Sequence, residues 1–381
     1  MKEIMELVLS VGIAYYLITL IATYVKILTA RVGSKVKATR TEFLPPITIL
    51  KPVTGVDGNL RENLLSFINQ DYPEFEIVVG IQSPDDPAIQ LIHELIEEFP
   101  ESKIELVVSD RTLGFNPKIN NLYGMMPHAS YDYMVISDSN VIVRDDYLRT
   151  NIQHFQDKNV GLVTNLIRGV GGENIGALFE NLHLNSFVIG NVSLLALASR
   201  QVVVGKSIFF RKSQFDTLGG IWELRNYLAE DYLMGRIYKK NGYKVVVSPN
   251  VITTTNHSWN MKRFLNRHTR WAQLRWNLNK LAYIGELLAN FSLWSLAYMI
   301  FSGFSYEASV IAGLCWLVKI TGDSLMNYTL NTGLGFRHCV AAPFKDIVIG
   351  MTWPVPLVNR KTKWRGNPVK ITRNTLLLPT E

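Results

Sequence analysis

The chain has 381 residues, 48% of them apolar, and 39 Lys and Arg against 32 Asp and Glu give it a formal charge of +7. Its two cysteines, Cys315 and Cys339, lie in apolar sequence and exclude a disulfide framework or a clustered thiolate metal site. The charge surplus suits nucleic acid, an anionic bilayer face or a phosphorylated ligand without choosing among them, while a mean hydropathy of +0.10 points to membrane segments.

The first element in chain order is a membrane helix. Leu7 to Val25, LVLSVGIAYYLITLIATYV, carries no charge and is long enough, at about 1.5 Å per residue, to cross a hydrocarbon core of about 30 Å. Only Lys2 precedes it as a base, and the run exceeds the roughly 7–15 residues of a signal-peptide core, so it reads as an uncleaved anchor. Lys26, Arg31, Lys35, Lys37 and Arg40 follow and predict that the next segment is cytoplasmic.

The middle of the chain reads as α/β. ITILKPV (47–53), FEIVVGIQS (75–83), IELVVSD (104–110) and DYMVISD (132–138) predict strands. Helices over Asn59–Asn69 and Pro87–Phe99 separate them, the second with Ile89, Ile92 and Ile96 at helical spacing. Such alternation predicts a largely parallel, doubly wound sheet covered on both faces, in which ligands gather beyond the carboxyl ends of strands. Asp138, inside VISDSNVIV (135–143), stands at such an end, with a second short strand resuming at Val141; Asp85-Asp86 follow IVVGIQSP in the same way. A lone strand-end aspartate also serves as an Asx cap. Two of them suit a divalent cation bound to phosphates, because hard ions take carboxylate oxygens. GVGGENIG (169–176) lacks the third glycine of the dinucleotide fingerprint at the required spacing and follows no clear crossover strand.

Two further stretches carry charge in a pattern. Gly114 to Pro117 predicts a helix start, which with Lys118 and Asn120-Asn121 suits phosphate oxygens, as it also suits a solvated lysine. On a helix from Met261, Arg263, Arg267 and Arg270 share one face, and Phe264, His268 and Trp271 form the adjacent seam. Such a helix is suited to lie flat on a bilayer, although positive-inside flanking explains Lys262 and Arg263 as well. Beyond it, Leu287 to Tyr306 predicts a second span and Ala308 to Leu330, with Lys319 and Asp323, a weaker one. Val340 to Val358, interrupted by Pro343, Lys345-Asp346, Pro354 and Pro356, predicts a re-entrant or interfacial segment. A basic tail follows (Arg360, Lys361, Lys363, Arg365, Lys370), and a tail on the same face as the middle domain requires an even number of crossings between them. The expected organisation is an anchor over 1–30, a catalytic domain over 42–282 that includes an interfacial helix at 260–280, and a membrane region over 283–381.

Four stretches, in this order, carry a resemblance: LKPVTGVDGNLRENL (50–64), GFNPKINNL (114–122), SDSN (137–140) with AEDY (229–232), and RHTRW (267–271), followed by WRG at Trp364–Gly366. Together they resemble the ceramide glucosyltransferase family, membrane-bound inverting glycosyltransferases. The resemblance implies a GT-A fold, the Rossmann-like α/β nucleotide-diphospho-sugar transferase domain, with one N-terminal and two to three C-terminal membrane segments. It implies Asp86 facing the nucleotide base and ribose, Lys118 and Asn120 with the donor, and Asp138 as the first acid of a D-x-D motif that here reads Asp138-Ser139-Asn140. A divalent cation, Mg2+ or Mn2+, would sit on Asp138 and Asn140. Asp231 would be the general base, with Glu230 read as a helix-capping acid; Arg270-Trp271 would be the signature beside the leaving group, and Arg267 and His257 would face acceptor and membrane. The implied partners are a UDP-sugar, a membrane lipid acceptor (ceramide or hopanoid) and the bilayer, with no nucleic acid, and the catalytic domain would face the cytoplasm. Bacterial hopanoid glycosyltransferases look similar along the same motifs, so an N-acetylglucosamine donor with a hopanoid, or a glycerolipid acceptor, is an alternative to UDP-glucose with ceramide. A processive polysaccharide synthase would need more membrane helices than are visible here. The remaining rival is a non-catalytic membrane protein whose nucleotide-like domain only binds.

Overall fold

The computed structural model describes residues 2–36, 42–56, 59–257, 259–359, 361–364 and 367–379. Lys37, Arg40, Asp57-Gly58, Ser258, Arg360 and Arg365-Gly366, which fall in the stretches and clusters named above, lie outside the described residues.

The N-terminal apolar run forms one helix, Lys2–Val36. It runs parallel to a second long helix, Tyr306–Thr329. Lys2 pairs with Glu307 at 2.5 Å, the Tyr16 hydroxyl donates to Asp323 at 2.7 Å, and Tyr24 bonds Thr329 at 2.8 Å. From residue 2 to residue 24 this ladder climbs about 33 Å, close to the depth of a hydrocarbon core. Both helices are long and apolar enough to cross a membrane, as is a third, bent pair if its two halves count as one span.

The ranking of the C-terminal spans is reversed relative to the expectation. Leu287–Tyr306 is broken into Lys280–Leu288 and Phe291–Phe301, bent by 56°. Asn290 causes the break: its side chain accepts from Leu293 N to cap the second half and donates to the Asp346 carbonyl at 2.8 Å. The charged run is the continuous helix. Lys319 and Asp323, one turn apart, pair at 3.1 Å, with Asp346 at 3.5 Å from the same ammonium. A buried ion pair is tolerated when its partners are close and hydrogen-bonded. Val340–Val358 breaks into short helices, among them Ala342–Thr352, which at about 16 Å is too short to cross.

Between these segments lies an eight-stranded sheet: β1 Ile47–Pro52, β2 Phe75–Ile81, β3 Ile104–Val108, β4 Tyr133–Ser137, β5 Val141–Ile142, β6 Val160–Val170, β7 Ser207–Arg211 and β8 Lys244–Thr255, ordered β3-β2-β1-β4-β7-β6-β8-β5. The four strands read from the sequence are parallel as expected. β6 and β8, paired in parallel, run in the same direction, so the sheet is largely parallel as expected; β7, antiparallel to both β4 and β6, and β5, antiparallel to β8, are the exceptions. Alternate residues feed two cores. Ile49, Val79, Val135 and Phe209 pack on one face, and Leu50, Val78, Ile136 and Ile208 on the other. The class is α/β, with the GT-A order of a parallel half followed by an antiparallel strand. GVGGENIG does follow a strand: β6 ends at Val170, and Gly171 and Gly172, at φ 93° and 134°, turn the chain into the helix Ile175–His183.

The tail is folded rather than loose. Lys361–Trp364, Asn367–Ile371 and Leu377–Pro379 form an antiparallel three-stranded sheet, β9 to β11. It docks on the α/β domain through Leu228 N to Thr375 O at 2.9 Å and Leu377 N to Asn226 O at 2.7 Å.

Removing Asp323 leaves the buried Lys319 with one carboxylate. Asp323→Ala should cost about 3 kcal/mol, measured as a lower Tm in micelles, and the apolar pair Lys319→Met/Asp323→Leu should recover most of it.

Candidate active site

The apolar run of β4 ends at Ser137, so Asp138 is the first residue past the sheet's carboxyl edge. Three lysines converge on it. Lys118, on the helix Pro117–Met125 that Asn116 caps through Lys118 N and Ile119 N, reaches Asp138 Oδ1 at 2.9 Å. The same ammonium donates to Gly205 O at 2.9 Å and lies 3.2 Å from Glu230 Oε1. Lys51, at the end of β1 and fully buried over the Phe67 ring, donates to the Asp138 carbonyl at 2.8 Å. Lys206 donates to Asn140 Oδ1 at 2.6 Å and lies 3.6 Å from Asp138 Oδ2.

This crowding sets the local protonation. Burial alone would raise the Asp138 carboxyl, but Lys118 and Lys206 hold it well below the usual carboxylate range. Burial lowers Lys51 to about 7 and Lys206 to about 8, with Asp138 opposing in both cases. Burial likewise acts to lower Lys118, yet Asp138 and Glu230 together raise it above the ordinary lysine value.

Asp231 faces the same cavity, in the first turn of the helix Glu230–Lys240. One oxygen accepts from Tyr232 N at 2.7 Å, and the other lies so close to Gly205 that a Cβ there would be 2.7 Å away. Burial first, and then the neighbouring Glu230 charge, raise the Asp231 carboxyl to about 7. A carboxylate tuned near neutrality is poised for proton transfer. Glu230, expected only to cap this helix, instead belongs to the ionic cluster through Lys118; Ala229 is the N-cap residue.

The helix Met261–Leu278 closes the third side. Its face of Arg263, Arg267 and Arg270 lines the cavity, as the spacing predicts, while Phe264 and His268 are buried beneath it. Glu180, fully buried, fixes this helix by accepting from His268 Nε2 at 3.1 Å and pairing with Arg267 Nε at 3.4 Å. Trp271 and Trp259 flank the Arg267 guanidinium at 4.3 and 5.0 Å from their ring centres. The open cavity has a volume of about 830 Å³, and Asp138, Asn140, Asp231, Lys118, Arg270 and Trp271 all face it.

Three expected site residues are placed elsewhere. Asn120 spends its amide on the preceding turn, accepting from Leu113 N and Gly114 N and donating to Gly114 O, each at 2.9 Å. Asp86 accepts from Gly55 N at 2.8 Å and Ala88 N at 2.9 Å, so it pins the loop after β1 and opens the helix Ala88–Glu98. His257 bridges Asn59 at 3.2 Å and Glu173 at 3.6 Å, outside the cavity lining. Lys51, Lys206, Gly205 and Glu180 were not singled out by the sequence. Their signal is a charge or a glycine beside buried apolar runs, as in VVVGKSIFF, whose meaning depends on cross-strand neighbours.

Among the described residues no cluster of three or more His, Cys, Asp or Glu could hold a metal ion. The D-x-N pair nevertheless fits one held jointly with a ligand. The Asp138 and Asn140 oxygens point to a shared position, and a protein cation, the Lys206 ammonium, already stands there. Mg2+-type sites commonly take one or two carboxylates and draw their remaining ligands from substrate phosphates and water.

The model of glycosyl transferase family 21 matches residues 7–377. The chain belongs to this family. It is 31% identical to ceramide glucosyltransferase 3 of Caenorhabditis elegans over 284 residues, 72% of this chain and 60% of that protein. It is 30% identical to ceramide glucosyltransferase 1 of the same organism, over 68% of this chain and 55% of that one. The chain thus spans little more than half the length of these relatives. Among solved structures it is similar to a mannosyltransferase from Pyrobaculum calidifontis in complex with GDP-Man and Mn2+, at 15% identity and a TM-score of 0.49, over 90% of this chain and 98% of that one.

In this family 21 chain the tail sheet reaches the site. Val369, Ile371 and Leu377 pack with Leu228, just before Ala229-Glu230-Asp231, and Ala229 N donates to Thr375 Oγ1 at 3.3 Å. Ile371 is fully buried. Ile371→Asp should therefore release the 226–229 loop, displace Asp231 and lower kcat by about ten- to a hundredfold. Circular dichroism should stay close to that of the parent protein.

Proposed function

We propose that the protein is an inverting glycosyltransferase that moves a hexose from a UDP-sugar to the hydroxyl of a membrane lipid, with ceramide as acceptor and UDP-glucose as donor. The observation that carries this reading is a single cavity faced by Asp231, by the cationic cluster around Asp138 and by the arginine face of the interfacial helix. Its wall also includes Val188 and Val192. Gly190, between them, abuts Thr19 of the N-terminal membrane helix so closely that a Cβ would lie 2.9 Å away. The cavity wall is therefore continuous with the membrane bundle, which suits an acceptor whose tails stay in the bilayer.

In this reading Asp231 accepts the proton of the acceptor hydroxyl as its oxygen bonds to the anomeric carbon. The bond from that carbon to the diphosphate oxygen breaks on the opposite face, so the configuration inverts, as in base-assisted inverting hydrolysis. Negative charge grows on the departing UDP. Arg270, with Arg267 and Lys262 on the same wall, offers preorganised positive charge for it. A divalent cation held by Asp138 and Asn140 would supply further charge stabilisation there. Lys118 acts at one remove, keeping Asp138, Glu230 and the Gly205 carbonyl together. We place the catalytic domain on the cytoplasmic face, on the strength of the basic residues that follow the first membrane helix.

The deciding experiment incubates purified protein with labelled UDP-glucose or UDP-N-acetylglucosamine, each against ceramide and hopanoid acceptors. Glucosylceramide as the main product is the expected outcome. Transfer of N-acetylglucosamine to the hopanoid would replace the acceptor and sugar assignments, and no glycolipid in any arm would sink the transferase reading.

Asp231→Asn should lower turnover by about 10²–10⁴-fold while UDP-sugar binding, followed calorimetrically, persists. In the parent protein kcat should rise with pH and level off above about 7, the value to which Asp231 is raised. The same group makes a stability prediction of opposite sense. A carboxyl whose pKa is raised on folding favours the fold at low pH, and that contribution is lost as pH rises through the folded value. Asp231→Asn should therefore have a higher Tm than the parent at pH 8 and no such advantage near pH 4.

A further inference from the structure

Lys206 is held in place by the sheet itself. In the antiparallel ladder of β4 and β7, Ser137 pairs with Ser207. One step further along, at the carboxyl edge, Asp138 faces Lys206. The residue is 8% exposed, and its ammonium lies 2.6 Å from Asn140 Oδ1 and 3.6 Å from Asp138 Oδ2. Lys118 takes the other Asp138 oxygen at 2.9 Å, and Lys51 takes the carbonyl of the same residue at 2.8 Å. The two side chains that would hold a divalent cation offer one negative charge between them, with three ammonium groups already gathered around it.

A divalent cation arriving alone would have to displace the Lys206 ammonium from the oxygens that these two side chains offer it. A nucleotide diphosphate changes the balance, since its oxygens bring negative charge and additional ligands for the cation. They also give the displaced ammonium a new partner. We propose that Lys206 is a built-in counter-ion of the D-x-N site. Its ammonium holds the Asp138 and Asn140 oxygens in the donor-free protein and yields them only when a nucleoside diphosphate enters, so that cation and donor bind as an obligately coupled pair. This rests on the nucleotide-sugar reading of the cavity. It adds to that reading a residue that sets the order and strength of metal binding. The amide at position 140 is consistent with the arrangement: a second carboxylate there would hold both a cation and Lys206 more tightly and weaken the exchange.

The test is Mn2+ binding to the full chain in micelles, read from the EPR signal of the free ion, with and without UDP and without any acceptor or turnover. For the parent protein, Mn2+ should bind at least about tenfold more tightly with UDP present, and UDP should gain the same factor from Mn2+, as linkage requires. Lys206→Met should tighten Mn2+ binding in the absence of UDP by about tenfold and shrink the coupling by a similar factor. Lys206→Arg, which keeps a cation at the same place, should bind Mn2+ alone as weakly as the parent and reports that the loop tolerates substitution. The proposal is overturned if Lys206→Met leaves Mn2+ affinity without UDP unchanged, or if the parent binds Mn2+ equally well with and without UDP. Failure of UDP to bind the parent in either buffer, Mn2+ or EDTA, would overturn the nucleotide-sugar reading itself, and this proposal with it.

Discussion

The ion cluster at Asp138 is the constraint on which the rest of the site depends. Three carboxylates, Asp138, Glu230 and Asp231, come from two separate elements and would repel one another in a part-buried cleft. Lys118 is the group that reconciles them. Its ammonium touches Asp138, approaches Glu230 and is anchored to the Gly205 carbonyl, which fixes the spacing between the parallel half of the sheet and the helix bearing Asp231. Charges this close in a partly desolvated cleft interact far more strongly than in water. The geometry is therefore set by electrostatic balance as much as by packing. An unpaired carboxylate at any of these three positions would swing outward or take up a proton.

The second constraint is mechanical and joins the site to the membrane. The helix Ile189–Leu197 has two working sides. At Gly190 it packs directly on the Thr19 side chain of the N-terminal membrane helix, while Val192, with Val188 just before the helix, faces the cavity. A π-helical turn, Leu184–Val188, precedes it and lets the chain shift register between its buried Ile175–His183 segment and this two-sided one. On the opposite wall, the interfacial helix is fixed by Glu180 from below and by the tail sheet near its end, where Leu274 packs against the Leu228 cluster. In the proposed reading a lipid alcohol would reach this charged centre past one short helix, which separates it from the membrane bundle.

Much of this was legible before the structure, and what was not has identifiable causes. The four parallel strands were visible because each is an apolar run bounded by turn residues. Asp138 stood out because it ends such a run, and the arginine face of the interfacial helix followed from i, i+4, i+7 spacing alone. The other half of the sheet was not visible: β8 contains Pro249 and a Thr run, and β7 is only five residues long. Pairing partners distant in sequence, not local pattern, determine that these segments are strands. Asn120 spends its amide on its own turn, which proximity to Lys118 in sequence does not reveal, because an amide near a helix start folds back on the local backbone readily. The membrane spans were ranked wrongly for a related reason. Composition penalises Lys319 and Asp323 separately, but one turn of helix lets them neutralise each other, and the uncharged run carried the Asn290 break instead.

Lys206 shows why a site of this kind exceeds what motif spacing can convey. A D-x-D pattern read along one strand records which oxygens are available, not what stands opposite them. Here the opposite position belongs to an antiparallel neighbour nearly seventy residues later, and it places an amine where spacing alone suggests only a cation site. The local charge is therefore a property of the sheet register. A one-residue slip of β7 would turn Lys206 to the other face and bring the Gly205 position opposite Asp138. Gly205 is also where the chain passes closest to the Asp231 carboxylate. The same strand thus places Lys206 on one side and leaves room for Asp231 on the other, so in the proposed reaction donor charge and acceptor proton would be handled by groups held in one common register.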